Sequence, residues 1–160
     1  MNKSGLEEVE KVIWAEIARD LGRERGVEKC LCFNRRFFQY LRAADPSFPL
    51  ESYSGDLPAE GTAGLFLGWQ VLEATRPLLS PGEIFSALAA GGEARLFGFY
   101  SSPRPNDLRG WEGRAEAGRL PPPAAASLGA IAGWLKSGSF DRYTLRKRGI
   151  YYECRLQKGA

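Results

Sequence analysis

The side-chain inventory of this 160-residue chain limits the chemistry it can perform, because it has no histidine and only three cysteines. Histidine is the usual general base near neutral pH, so its absence argues against Ser-His and Cys-His hydrolases. Cys30, Cys32 and Cys154 lack the paired C-x-x-C spacing of structural zinc sites. We therefore expect buried apolar thiols and no metal site. So few cysteines, odd in number, are typical of a reducing compartment, which predicts a cytoplasmic protein.

The strongest candidates for a binding pocket are Trp69 and Gln70, which end the apolar strand beginning at Leu65. Ligands of parallel sheets bind beyond the carboxyl ends of the strands. The side chains that follow this strand are therefore placed to contact a ligand.

The elements that must position these residues alternate between helix and strand. Apolar residues at helical spacing predict an amphipathic helix within residues 1–25. The expected order is then strand 29–33, helix 35–43, strand 50–54, the strand from Leu65, a capped helix, strand 93–100, helix 124–136 and a hairpin about Arg148-Gly149. Residues 101–123 form a long loop or hold a short helix. The pattern predicts one α/β domain over residues 1–160, a three-layer sandwich with a mostly parallel sheet and a C-terminal antiparallel hairpin.

The capped helix has clear boundary signals. Ser80-Pro81-Gly82-Glu83 combines a serine N-cap, a proline at the first helical position and the glutamate of a capping box. The apolar face continues through residues 84–89, and Gly91-Gly92 is typical of a helix stop. We therefore expect the helix to extend past Ala89.

This strand-helix-strand module resembles the second half of class I S-adenosylmethionine-dependent methyltransferases of the small-molecule branch. Gln70-Val71-Leu72-Glu73, followed by Pro77, is similar to the family's V-L-E-H-V-like segment and its proline. Residues 88–92 are similar to its L-x-P-G-G motif, with Ala90 in place of the proline. The resemblance implies a methyltransferase-like Rossmann variant that ends in a hairpin, with S-adenosylmethionine as the cofactor of active members.

The loop that would hold this cofactor is altered. The family has G-x-G-x-G after its first strand, because a Cβ would keep the backbone from approaching the cofactor. Residues 30–41 resemble the strand and the following helix, but no glycine lies between Gly26 and Gly55, and Asn34 stands in the loop. Losing about two hydrogen bonds to charged groups, worth roughly 1.5–3 kcal/mol each, would weaken binding about a hundred- to ten-thousandfold. We expect no cofactor to bind in the usual way.

The segment after strand 49–54, Gly55-Asp56-Leu57-Pro58, resembles the family's G-D-x-x-L-P passage. If that strand is the family's third, Asp56 matches the adenine-side aspartate, and the unit carrying the ribose carboxylate is deleted. If it is the second, Glu51 or Asp56 is the ribose partner. The sequence leaves both open.

The candidate sites implied by the resemblance are therefore few. The candidate cofactor-binding residues are Asn34, Asp56, Leu57, Trp69 and Gln70. Tyr100 and Trp111 are candidate substrate contacts, and Trp111 has the alternative role of anchoring a surface loop to the core.

The C-terminal segment is basic, with seven lysines and arginines and two acidic residues in 136–160, in a chain of net charge +3. Interleaved tyrosines would let this hairpin contact nucleic acid. The alternative, which we favour, is a solvated hairpin whose aromatic residues pack in the core and whose cations protect a sheet edge.

We therefore expect a degenerate methyltransferase-like protein that acts through protein–protein contacts, either as a homo-oligomer or with another partner. One alternative is an active S-adenosylmethionine-dependent methyltransferase with an atypical pocket around Asn34, Asp56 and Gln70. The other is a nucleic-acid-binding module. No segment has the length and apolar character of a membrane span or a signal peptide, so we expect no membrane association.

Overall fold

The computed structural model of the chain describes residues 3–24, 26–53, 61–72, 77–101, 126–149 and 151–159. The helices are α1 (Lys3–Leu21), α2 (Arg35–Ala44), α3 (Pro81–Ala87) and α4 (Leu128–Lys136). The strands are β1 (Cys30–Phe33), β2 (Leu50–Tyr53), β3 (Ala63–Trp69), β4 (Leu88–Ser101), β5 (Ala126–Ser127), β6 (Arg142–Arg148) and β7 (Tyr151–Gln157).

The strands form one mixed sheet in the order β2-β1-β3-β4-β7-β6, with the short β5 paired to the end of β4. Strands β1 to β4 run parallel, whereas β7 lies antiparallel between β4 and β6. The predicted α/β architecture with a mostly parallel sheet and a C-terminal hairpin is confirmed. Gly149 has a φ of 70° in the hairpin turn, a conformation that glycine adopts without strain.

Each face of the sheet has its own apolar core. α1 and α2 cover one face, where Trp14, Phe37, Trp69 and both β1 cysteines are buried. The aromatic and aliphatic residues of α3 and α4 pack on the other face with Cys154. All three cysteines are buried and free, as predicted. No helix in the described part of the chain is long and apolar enough to cross a membrane.

The start of α3 follows its local signals. The Ser80 hydroxyl accepts a hydrogen bond from the Glu83 amide at 3.1 Å, and the Glu83 carboxylate accepts one from the Ser80 amide at 3.2 Å. This reciprocal pair is the predicted capping box.

The predicted end of this helix is wrong, because α3 stops at Ala87 and Leu88 already belongs to β4. Leu88 pairs with Ala63 and Glu93 with Leu65, so the register shifts and residues 89–92 bulge out of the ladder. A Cβ on Gly92 would lie 3.0 Å from the Ala63 carbonyl oxygen. The two glycines therefore permit a bulge and close strand approach rather than a helix stop.

The predicted start of the last helix also differs. Ala126 and Ser127 extend along the end of β4, and α4 begins only at Leu128. The Ser127 hydroxyl accepts a hydrogen bond from the Ala130 amide at 3.1 Å and caps the helix. Pairing with a distant strand overrides the helix propensity of the alanines before it.

Candidate functional site at the carboxyl ends of β1 and β3

The topology of the sheet places a candidate crevice between β1 and β3. From β1 the chain continues through α2 to β2 on one side, and β3 then lies on the other side of β1. This reversal is the switch point at which open α/β sheets bind ligands. Asn34 directly follows β1 and Gln70 directly follows β3, so the sequence-derived candidates Asn34, Trp69 and Gln70 are brought to this one edge.

The backbone is unusual at both strand ends. In the described part of the chain, Asn34 (φ 95°) and Gln70 (φ 54°) are the non-glycine residues with positive φ. Such conformations favour glycine and cost about 1–3 kcal/mol when another residue adopts them. Asn34 thus retains a glycine-like backbone in a loop that has lost its glycines.

Asn34 uses its side chain to close the loop on itself and on β3. Its Oδ1 accepts a hydrogen bond from the Phe37 amide at 3.2 Å, which caps α2. Its Nδ2 donates to the Trp69 carbonyl oxygen at 3.4 Å, across the gap between the two strands. The Phe37 amide and the Trp69 carbonyl oxygen are therefore both hydrogen-bonded to the Asn34 side chain.

Beneath this link, Trp69 is 1% exposed and is held by a buried carboxylate of α1. The Trp69 indole Nε1 donates to one oxygen of Glu10 at 2.8 Å, and the Arg36 guanidinium donates to the other at 2.9 Å. Glu10 itself is 6% exposed. A carboxylate that is both ion-paired and hydrogen-bonded in this way is satisfied in the interior.

Aromatic rings fill the space around this pair. The Trp14 ring lies 5.6 Å from Trp69 in an edge-to-face arrangement and 5.5 Å from Phe37. Phe99 packs edge-to-face on Trp69 at 5.2 Å. These spacings are those of favourable aromatic pairs. We call Glu10, Trp14, Asn34, Phe37 and Trp69 the crevice cluster.

Gln70 contacts β4. Its backbone N–H donates a hydrogen bond to the Phe97 carbonyl oxygen at 2.8 Å. Its side-chain Oε1 accepts a hydrogen bond from the backbone N–H of Phe99 at 3.0 Å. Gly98 makes room for this side chain, because a Cβ there would collide with the Gln70 Oε1 and lie 3.0 Å from the Tyr152 hydroxyl. The Oε1 of Gln70, a candidate pocket residue, is thus hydrogen-bonded to the backbone of β4.

The remaining candidates are not brought into this cluster. Tyr100 is 2% exposed, packs on the opposite face, and donates its hydroxyl to the Gly149 carbonyl oxygen at 2.8 Å. Asp56, Leu57 and Trp111 lie outside the described residues. The same is true of residues 102–123 of the predicted long loop.

The position of β2 bears on the two alternatives for residues 49–54. β2 lies directly beside β1, which is the place of a second strand in a β-α-β unit, so the second-strand alternative is the one that the topology favours. Glu51, however, pairs with Lys29 at 3.5 Å, and Lys29 precedes β1. The Glu51 carboxylate is therefore directed toward the amino edge of the sheet rather than the crevice.

Sequence reasoning missed Glu10, although one signal was present. Glu10 lies three residues before Ile13 and seven before Ile17, on the apolar stripe of α1. A carboxylate on the buried side of an amphipathic helix implies an internal partner. The identity of that partner, 59 residues further along the chain, has no local signature.

The thiols of β1 lie in the same layer but are not nucleophiles. Burial raises the pKa of Cys32 well above its usual value, and the neighbouring Cys30 raises it further. Burial also raises the pKa of Cys30, against an opposing effect of Arg95. Because the thiolate is the reactive form, both groups are inert near neutral pH.

The crevice cluster does not fit an adenosyl cofactor bound in the usual manner. Such a cofactor needs bare backbone after β1, whereas here the Asn34 side chain crosses to β3 and Phe37 follows at the start of α2.

No protein-family model and no curated protein matches the sequence. Among solved structures, an O-methyltransferase family protein from Burkholderia thailandensis is similar with a TM-score of 0.62 and 10% identity, over 97% of this chain and 59% of that one. Human N-acetylserotonin methyltransferase, solved in complex with SAM, has a TM-score of 0.52 and 13% identity, over 96% and 55%. A possible exported protein from Bordetella parapertussis has a TM-score of 0.55 and 11% identity, over 92% and 67%.

These likenesses establish the fold. The class I methyltransferase-like architecture predicted from the motifs is confirmed. The sequence identities of 10% and 13% are too low to assign an activity to this chain. The chain spans a little over half the length of the two methyltransferase chains.

Proposed function

We propose that this chain is a methyltransferase-like protein that does not bind S-adenosylmethionine in the usual crevice and acts through protein contacts. The observation that carries the proposal is the side-chain bridge across the switch point. Asn34 hydrogen-bonds the Trp69 carbonyl oxygen, and the Trp69 indole is in turn bound by Glu10.

The energetics support a closed crevice. Displacing the Trp69 ring would break a hydrogen bond to a charged acceptor, worth roughly 1.5–3 kcal/mol. It would also expose a buried aromatic side chain, at about 1.5–3 kcal/mol or more. A cofactor that must first open this cluster would lose several kcal/mol of its affinity, and each 1.4 kcal/mol is about tenfold.

The proposed protein contacts are supported by the ends of the sheet. In the backbone pairing of the described strands, β2 and β6 each have a neighbour on one side only. Exposed strand edges pair with other chains unless charge or a covering element prevents it. With its crevice closed, the chain still has the edge strands β2 and β6 as surfaces that could bind another protein.

Titration calorimetry with S-adenosylmethionine and with S-adenosylhomocysteine tests the cofactor half of the proposal. We expect no saturable heat at ligand concentrations up to about a millimolar. A micromolar Kd for either ligand would overturn it. Light scattering over a concentration series tests self-pairing separately, and a partner other than the chain itself is required if the mass stays that of a monomer.

A second candidate is an active methyltransferase with an atypical pocket around Asn34, Asp56 and Gln70. The positive φ values of Asn34 and Gln70 favour it, because strained backbone clusters at functional sites. Under this candidate, Asn34→Ala and Gln70→Ala would each weaken a micromolar S-adenosylmethionine affinity about tenfold or more. An exposed control, Arg19→Ala, would leave that affinity unchanged.

A further inference from the structure

Strand β6 forms one edge of the sheet and is strongly basic. Its seven residues, RYTLRKR, include three arginines and a lysine. β7 pairs with it along its whole length on one side, and no other described strand pairs with the opposite side. The outer edge of β6 therefore presents backbone donors and acceptors beside a row of cations.

The charges on the adjacent sheet face are only partly balanced. Arg146, Arg148 and Arg155 all approach the carboxylate of Glu153, at 3.2, 3.5 and 3.7 Å. Glu153 is 3% exposed, so this buried carboxylate is shared by three guanidinium groups. Arg148 also pairs with Asp20 at 3.3 Å and Arg155 with Glu93 at 4.0 Å, which leaves Arg146 with Glu153 alone in the described part of the chain. Exposed Arg142 has no ion-pair partner among the described residues.

A shallow depression of about 220 Å³ lies beside this edge, between β4, β7 and β6. It is lined by Glu93, Arg142, Tyr143, Thr144, Arg155 and Gln157. The carboxylate of Glu93 is already paired with Arg95 at 3.1 Å. The lining thus offers Arg142 as an uncompensated cation, together with neutral hydroxyl and amide groups.

We propose that the outer edge of β6 receives an extended acidic segment of a partner protein by strand addition. Backbone hydrogen bonds would supply the pairing, as in other cases of β-augmentation. Carboxylates at alternate positions of the partner would face Arg142 and Arg146, which share one face of β6. Arg148 lies on the same face but is already paired with Asp20 and Glu153. This inference deepens the proposed function, because it names the chemistry of the partner.

A second copy of β6 is a poor occupant of the same edge. Antiparallel self-pairing centred on Leu145 would set Arg142 of each copy opposite Arg148 of the other. Like charges directly opposite one another destabilise a strand pair. Charge complementarity instead selects an acidic strand.

Nucleic acid is also disfavoured as the occupant. Base stacking needs exposed aromatic faces, but Tyr151 and Tyr152 are buried, at 2% and 0% exposed, as predicted for aromatic residues that pack in the core. Tyr143 is 42% exposed and is the one large aromatic side chain of the described hairpin that reaches solvent in this way.

The test is fluorescence anisotropy of the full chain with a labelled short peptide in which glutamate alternates with valine. A control peptide has proline in place of the valines, so that it keeps the charge but cannot pair as a strand. We expect saturable binding of the first peptide, weakening with salt, and at least tenfold weaker binding of the second. Equal binding of the two peptides would overturn strand addition.

Variants locate the contact on the protein. Arg142→Glu is expected to weaken peptide binding by about three- to tenfold, the effect of removing and reversing a solvent-exposed ion pair. Arg19→Glu makes the same charge change on an exposed position of α1 and is expected to change binding less than twofold. Equal effects of the two variants would overturn the location at β6.

Hydrogen exchange of the unmodified protein gives a readout that does not depend on variant folding. The peptide is expected to slow exchange of β6 amides specifically, and unchanged β6 exchange at saturating peptide would overturn the proposal. So would a duplex or single-stranded oligonucleotide that binds β6 while the peptide does not. Cofactor calorimetry remains independent, because S-adenosylmethionine binding would overturn the proposed function and leave the peptide result standing.

Discussion

The crevice cluster and the β6–β7 hairpin use buried carboxylates in opposite ways. Glu10 in the crevice cluster holds one buried indole and one guanidinium, and each oxygen has a single close donor. Glu153 in the hairpin is shared by three arginines, two of whose side chains are 45% and 64% exposed. The first arrangement closes a site, whereas the second leaves cations at the surface.

This difference indicates which region contributes to stability and which to binding. In the crevice cluster, the polar groups of Asn34 and Trp69, both predicted ligand contacts, form hydrogen bonds within the protein. In the hairpin, cationic side chains lie along an edge strand whose outer side pairs with no other described strand. Stability should therefore depend on the crevice cluster, and binding on the hairpin.

The largest effect is expected from Trp69→Ala. The substitution removes a buried ring and leaves Glu10 without its indole donor, so we expect the free energy of unfolding to fall by about 3–5 kcal/mol. Urea denaturation measures it. Trp69→Phe is the matched control, because it keeps most of the ring and loses the hydrogen bond, for about 1.5–3 kcal/mol. A loss below about 1 kcal/mol for Trp69→Ala would show that the crevice cluster is not a structural closure.

The two carboxylates can be compared directly. Glu10→Ala leaves the Trp69 Nε1 buried without an acceptor, and we expect it to cost about 2–3 kcal/mol. Glu153→Ala should cost about 1 kcal/mol or less, since Arg146 and Arg155 can turn toward water. Denaturation curves of both variants under one buffer decide this. A larger cost at Glu153 would reverse the assignment of stability to the crevice cluster.

A pH experiment probes the hairpin side through Cys154. Burial raises the pKa of Cys154 to about 12, with a further contribution from Glu153. The folded thiol therefore keeps a proton that the unfolded thiol loses above its pKa of about 8.5. This contribution to stability is complete below that pH. It is lost as pH rises toward 12, at about 1.4 kcal/mol per pH unit.

The check is the slope of unfolding free energy against pH between pH 8 and 10. Cys154→Ala should make the fall of the unfolding free energy with pH shallower, by the contribution of one titrating thiol. An unchanged slope would mean that the folded thiol titrates near its ordinary pKa, and that the hairpin core admits water.

A smaller effect than that of Trp69→Ala or Glu10→Ala is expected at Asn34. Asn34→Ala removes the α2 cap and leaves a positive φ, so we expect a loss of about 1–2 kcal/mol. Asn34→Gly also removes the cap but relieves the backbone, and its effect should lie within a few tenths of a kcal/mol of zero. Equal losses for the two variants would show that the backbone conformation contributes nothing.

Local signals predicted most element boundaries and failed where pairing was distant. The Ser80 capping box and the Gly149 turn were read correctly, because each depends on residues within one turn of the chain. Leu88 was misassigned to a helix, since an apolar residue at that spacing suits a helix face and a buried strand equally. Its pairing with Ala63 decided the matter.

The candidate site shows the same limit. The missing glycines and the position of Asn34 at a strand end were visible in the sequence and predicted a filled loop. The side chain that completes the closure was not, because Glu10 reaches Trp69 across 59 residues. The burial of Trp14 likewise depends on distant contacts, because this side chain is 2% exposed and packs against Phe37 and Trp69.

The sequence by itself determined the alternation of helices and strands, the hairpin and the loss of a glycine-rich loop, because apolar period, caps and turns are properties of neighbouring residues. Only the tertiary structure decided that the switch point is bridged by side chains and that β6, rather than β7, is the edge strand of the sheet. Those outcomes depend on contacts between segments distant in sequence, whose energies exist only once the chain has folded.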